Sequence, residues 1–460
     1  MGYGDLILFP FFLLMLSLFF RAIRNTYDDP LLKKYHRQGF WVKVLGCIAF
    51  FTYSVYLSPG DSIGLYQKEG NNIYHLILQN PSHLQWLFQK GKYFDESLLK
   101  DPYNGGYFKS EANFMVTRIV TLLSFITAGR YAVISLIFAC IAFSGVWKLF
   151  LFFYEQYPHM HKKFAIAILF FPTFVFWSGG ILKDTLCVAS IGWVTYALYE
   201  MFYRKKSFIK NSIILFVFGY LLAILKVYIL ISYIPFFILF IILKNIQEIK
   251  NKFLKYLLAP MLIFACMFGF TQVLNSFDEE LGSYAVEDIT SSIKHLNGAF
   301  KSMDGNETAD SNFDLGADFD GSFSGLVKLA PIAIFTTYFR PFIWESHKIS
   351  QLLASLESLV LLFLTLFVLF KSGLKFFIKM VLTNPLIMYC FLFSFVFAMF
   401  VGASTLNFGT LVRYKIPCLP FYTISLFLIY EKVKEKSVRK SLAISNSLVN
   451  PETSLYQLAT

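Results

Sequence analysis

Residues 213–243 read IILFVFGYLLAILKVYILISYIPFFILFIIL: two apolar runs, 213–225 and 227–243, parted by a single charge, Lys226. One crossing of a bilayer takes about 20 mostly apolar residues, so the stretch is too long for one span and reads as two that turn at the lysine. Similar runs recur on both sides, at 6–20, 41–57, 132–154, 164–177, 181–203, 257–270, 352–370, 385–401 and 416–430. The expectation is an all-α polytopic membrane protein with about 11 transmembrane helices, because a helix is the form that satisfies its own backbone within lipid.

Composition agrees with a chain solvated by lipid. Of its 460 residues 56% are hydrophobic and only 15% charged, and 55 are Phe; the mean hydropathy is +0.57. The net charge of +12 excludes little by itself. The Lys and Arg residues, however, lie in short connectors between apolar runs, which is how cytoplasmic loops fix orientation and not how a nucleic-acid surface is built. The six cysteines Cys47, Cys140, Cys187, Cys266, Cys390 and Cys418 stand apart, with no metal-knuckle or disulfide spacing. Run 6–20 lacks a basic region before it and a small-residue cleavage site after it, so it reads as a retained span.

Assigning the basic connectors 21–37, HMHKK, RKK, 244–255 and 371–379 to the cytoplasm places the amino terminus outside and the carboxyl terminus inside. Two long segments then fall outside. Residues 59–130 carry mixed charge and read as a loop with interfacial helices, the most apolar being 113–129, for which a further span is the alternative reading. Residues 275–325 are acidic, and the piece 326–338 running into FRPFIWE reads as a dipping element, since Pro341 interrupts it. Residues 1–440 form one polytopic domain, and 441–460 a flexible cytoplasmic tail.

Charge at a span end is expensive in lipid, and four polar clusters fall on the external side. PGDS supplies Asp61. FWSGGILKDT supplies a Gly break followed by Lys183 and Asp184. FRPFIWESHK supplies Arg340, Trp344, Glu345, His347 and Lys348, and NFGTLVRYKIPCLP supplies Asn407, Arg413, Tyr414 and Lys415. Singly, each has a plain structural reading: Asp61 as a helix cap, Asp184 on a positive helix end, the cations as snorkelling anchors. Gathered on one face, they exceed what anchoring requires. His159 and His161 sit among lysines and read as a solvated loop; DLGADFDG lacks the ligands of a calcium loop; NET at Asn306 is a sequon only where that machinery exists.

An external aspartate after an early span, FWSGGILKDT, FRPFIWE and a late GTLVRYKIPCLPF, in that order over most of the chain, resemble bacterial polytopic proteins of surface-polysaccharide loci. These include lipid-linked-sugar glycosyltransferases of the GT-C type and O-antigen or exopolysaccharide polymerases. The resemblance implies an inner-membrane enzyme that takes a sugar or oligosaccharide from a polyprenyl phosphate or diphosphate and passes it to a saccharide or lipid acceptor. It implies that Asp61 serves as the base or acceptor-positioning group. Lys183, Arg340, Arg413 and Lys415 would then hold phosphate, with Asp184, Glu345 and Tyr414 beside them. The chain departs from the pattern in an extra run before that aspartate and in lacking a second acidic motif in the early loop, which leaves a divalent metal open and no metal ligand assigned. A transporter or flippase of a lipid-linked or anionic solute, or a non-enzymatic envelope component, are the competing readings.

Overall fold

The computed structural model describes residues 3–247, 311–315, 323–346 and 348–449. Among these, regular structure is helical throughout, save one isolated bridge between Asn312 and Asn407. Seven described helices are long and apolar enough to cross a membrane, or eight if a bent pair near the end of the chain is one span. This is the architecture of a multi-pass membrane protein.

Helices α1 (Tyr3–Asn25), α2 (Pro30–Tyr56), α5 (Tyr131–Gln156) and α7 (Lys183–Phe202) pack against one another in sequence. Apolar side chains fill their contacts, and α5 and α7 come closest. A Cβ on Gly192 of α7 would stand 1.9 Å from the carbonyl oxygen of Gly145 on α5. Only glycine at this crossing lets the two backbones touch, the way small residues join helices where lipid offers no hydrophobic drive.

Contacts at the helix ends define two poles. At one pole Asp29 meets Tyr154, Tyr35 meets His161 (2.7 Å), and Lys163 meets Glu431 (2.5 Å); this end also carries the basic connectors and is called the basic end. At the other, Ser62 meets Tyr131 (2.8 Å) and Arg130 lies 4.0 Å from Asp5.

Helix α8 (Phe208–Gln247) runs 40 residues with a single non-helical residue, Lys226 (φ −156°, ψ 78°). Its middle reaches α7's first turn, since Lys226 Nζ lies 2.5 Å from Asp184. Its last turn returns to the basic end, where Lys244 donates to Gln156 at 2.7 Å and sits 4.1 Å from the Tyr203 ring. The helix therefore kinks at Lys226, the residue at which the sequence parts its two apolar runs.

Run 164–177 differs from its reading as one span. It divides into helical turns with a π stretch, Ala165–Leu169, and a six-residue helix α6 (Pro172–Trp177). Pro172 has no N–H to give the preceding turn, so the backbone breaks there. Run 257–270 and almost all of the acidic loop 275–325 lie outside the described residues.

The dipping element is α9 (Phe323–Phe339). Thr337 and Tyr338 donate to the carbonyls of Ala398 and Ser394 part-way along α12 (Pro385–Ser404). Through a cis Arg340–Pro341 bond the chain then climbs back to α10 (Ile349–Ser372). A short amphipathic helix α11 (Leu374–Thr383) crosses the basic end to α12. The chain finishes with α13 (Phe408–Tyr414) and α14 (Leu419–Val449), bent by 62° between them. Helix α14 carries the first part of the expected flexible tail as helix through Val449.

Segment 59–130 folds onto the non-basic end as α3 (Lys68–Gln79), several short 3-10 turns and α4 (Glu111–Thr127). Its keystone is Glu69, fully buried, whose carboxylate accepts from the N–H groups of Lys100 and Asp101 (3.0 Å each) and from Asn104 (2.9 Å). The stretch 113–129 is thus a packed helix of this cap, held by Thr121 donating to Gly70 O.

Candidate functional site

Four of the residues picked from the sequence and one that served only as a turn marker converge at the non-basic end. Asp61 follows α2, Asp184 stands in the first turn of α7, Lys226 breaks α8, and Arg413 and Tyr414 close α13. Arg413 donates through Nε to Asp184 Oδ2 at 2.5 Å and through Nη1 to Asp61 Oδ2 at 3.0 Å. Lys226 donates to the other Asp184 oxygen at 2.5 Å, and its ammonium lies 3.8 Å from the Tyr414 ring centre. Two carboxylates and two cations alternate in one chain of charge-assisted bonds.

The local sequence explains the placement. Asp184 sits on the positive end of α7, where a carboxylate is favoured. The glycines before it bring the break against α2, for a Cβ on Gly179 would stand 2.8 Å from Gly46 O. Asn407 accepts from the N–H groups of Gly409 and Thr410 and so starts α13 beneath the pocket.

Exposure separates the two acids. The Asp184 side chain is 0% exposed and Lys226 4%, whereas Asp61 is 45% exposed and Arg413 15%. Asp61 and Arg413 line a cavity of about 200 Å³ together with Trp177, Ser311, Lys348 and Thr410. A second, apolar groove of about 700 Å³ adjoins it, sharing Tyr53 and Trp177 and running over Leu45, Ala49, Val175 and Leu353. Glu357 closes that groove, accepting from the Thr173 N–H (2.7 Å) and hydroxyl (2.5 Å).

Lys348 and Asn407 also line the cavity, and the other sequence candidates among the described residues do not. Lys183 flanks Asp184 and makes no hydrogen bond to a described residue. Arg340 is spent on Glu345, with Nη2 at 2.5 Å from Oε1, and its guanidinium lies beside the stacked rings of Phe313 (4.7 Å) and Phe408 (5.1 Å). Lys415 is buried and donates to Arg340 O (3.0 Å) and Ser358 (2.9 Å), so it braces α13 against α10 rather than lining the cavity. Trp344 is 77% exposed, and His347 lies outside the described residues. Among the described residues no three His, Cys, Asp or Glu side chains come together as metal ligands; His161 is bonded to Tyr35 and His159 lies 3.8 Å from Glu431.

Two buried charges and one partly buried one carry a signal that the sequence reading passed over: Lys226 as a site member, Lys43 within run 41–57, and Glu357, partly buried, within run 352–370. Lys43 donates to Ser178 at 2.5 Å, tying α2 to the Gly break. Each is a lone ionisable residue inside an apolar run, which by its desolvation alone marks a place needing a partner.

No protein-family model, curated protein or solved structure matches this chain.

Proposed function

We propose that the protein is an enzyme of cell-surface glycan or glycolipid assembly in a bacterial inner membrane, passing a sugar or oligosaccharide from a polyprenyl phosphate or diphosphate to a saccharide or lipid acceptor. The observation that carries this reading is the contact of a small polar cavity holding Asp61 and Arg413 with a large apolar groove through Tyr53 and Trp177. A ligand with an anionic head and a long hydrocarbon chain fits such a pair. The basic end faces the cytoplasm by the charge rule, which puts the cavity and the amino terminus outside.

In the reaction the bond between the sugar's anomeric carbon and the phosphate oxygen breaks. Phosphate leaves with the electron pair and needs no proton, only cations such as Arg413 to receive its charge. The acceptor oxygen bonds to the anomeric carbon, and its proton passes to the Asp61 carboxylate. Lys348 adds positive charge around the leaving group; Asp184 holds Arg413 in place. No step requires a metal, and a divalent ion that binds phosphate is compatible with it.

Translocation of the same lipid is the second reading, favoured by the charged residue Lys226 at the break of α8, since interrupted helices with buried charge are the usual substrate sites of transporters. Analysis of lipid-linked saccharides in cells with the wild type, a deletion or Arg413→Ala separates the two. Unextended precursor on the outer leaflet supports transfer, precursor trapped on the inner leaflet supports translocation, and unchanged glycans reject both.

A further inference from the structure

Asp184 is bonded to more positive charge than it carries negative, and among the described residues Asp61 is the acid that pairs with the excess. Lys226 and Arg413 bring two positive charges to the single carboxylate of Asp184, at 2.5 Å each. The buried triad therefore has one positive charge in surplus. Among the described residues the Asp61 carboxylate is what answers it, 3.0 Å from Arg413 Nη1. Asp184 cannot be exchanged, being wholly buried and gripped from both sides. Asp61 is 45% exposed, lies on the cavity wall, and follows Gly60, beside which a Cβ would find open space.

We infer that Asp61 is a resident counter-ion that an incoming phosphate group replaces on Arg413. The exchange leaves the charge of the buried triad balanced, because one anion takes the place of another. It also changes what Asp61 can do. While Arg413 donates to it, Asp61 Oδ2 is occupied by the guanidinium; once phosphate holds the guanidinium, that oxygen is free to accept a hydrogen bond from the acceptor hydroxyl. Donor binding thus frees the oxygen that receives the acceptor.

This inference rests on the proposed transfer reaction for its purpose, while the exchange itself is tested without any sugar. Purified full-length protein in lipid nanodiscs is titrated calorimetrically with inorganic pyrophosphate and, separately, with farnesyl diphosphate, which adds a prenyl chain to the same head group. Asp61→Asn, a change at a half-exposed side chain, is expected to bind pyrophosphate about tenfold more tightly than the wild type, because the competing carboxylate is gone. Arg413→Lys is expected to weaken binding of both. If Asp61→Asn binds pyrophosphate no more tightly than the wild type, the counter-ion assignment is overturned, even where sugar transfer by the wild type stands. Tighter binding in Asp61→Asn with no effect of the deletion on any glycan would keep the exchange and remove the transfer reading. Stronger binding of farnesyl diphosphate than of pyrophosphate assigns the site to a lipid-linked donor; equal binding assigns it to free phosphate.

Discussion

Lys226 Nζ and Asp184 Oδ1 stand 2.5 Å apart, 42 residues distant in the chain and both sealed from solvent. The pair joins the kink of α8 to the start of α7, so it holds that kink and one arm of the site together. Neither charge has water to fall back on.

Replacing Lys226 by Met therefore leaves Asp184 with Arg413 as its sole cation in a buried place. Loss of one member of a buried ion pair is expected to destabilise by about 3–5 kcal/mol. Thermal unfolding in detergent should show a large drop for Lys226→Met and for Asp184→Leu, and a smaller drop for the double variant than the two added together.

The crossing of α5 and α7 leaves no room at Gly192, with Gly145 O 1.9 Å from where a Cβ would stand. Gly192→Ala is expected to force the helices apart and lower stability by about 1–3 kcal/mol, and Gly192→Val to prevent accumulation of folded protein. Monodispersity in size-exclusion chromatography with a thermal ramp reads both; a Gly192→Val protein as stable as wild type would contradict the packing.

Glu69 organises the cap over the non-basic end. Glu69→Leu strands the N–H groups of Lys100 and Asp101 and is expected to cost about 1–3 kcal/mol locally, seen as faster protease cleavage within 80–110 while the spans stay intact.

The same cap should respond to acid. The hydrogen bond from Lys68, with that of the Tyr103 N–H, holds the Asp101 carboxyl below its ordinary range. A lowered carboxyl value means stabilisation that is fully present above the unfolded value, about 3.9, and is lost as pH falls through the lower folded one. Pepsin cleavage near residues 98–104 should rise only below about pH 4 in the wild type, and occur already above that in Lys68→Met.

If the apolar groove holds the donor's chain, Ala49→Trp fills it without touching the polar cavity. Transfer from a lipid-linked donor is expected to fall at least tenfold, about 1.4 kcal/mol or more in transition-state terms, with pyrophosphate binding unchanged. Equal transfer by wild type and Ala49→Trp would remove the groove from the reaction.

What could be read from the chain follows how local each feature is. Lipid-compatible runs depend on nearby residues alone, so α1, α2, α5, α7, α10 and α12 stand where the apolar runs put them, and even the kink at Lys226 shows as a lone charge. Run 164–177 failed as a span because apolarity says nothing of the break that Pro172 imposes. The site was legible as residue types near one membrane face, yet not as a network. Arg413 and Asp184 are 229 residues apart, and no spacing distinguishes Arg413, which meets two acids, from Arg340, which Glu345 five residues on already satisfies. Lys415, two residues past Arg413, faces a serine and a carbonyl because a turn of α13 sets the two side chains apart.

The order of the four charges along the chain has a consequence for biogenesis. Both acids, Asp61 and Asp184, precede both bases, Lys226 and Arg413, so a ribosome delivers the anions to the bilayer first and Arg413 229 residues after Asp184. A nascent chain halted before residue 413 has both carboxylates without the guanidinium that bridges them. The buried Asp184 must be sheltered by the insertion machinery or by lipid head groups until Lys226 and then Arg413 arrive, so a donor can be gripped only once α13 is in place.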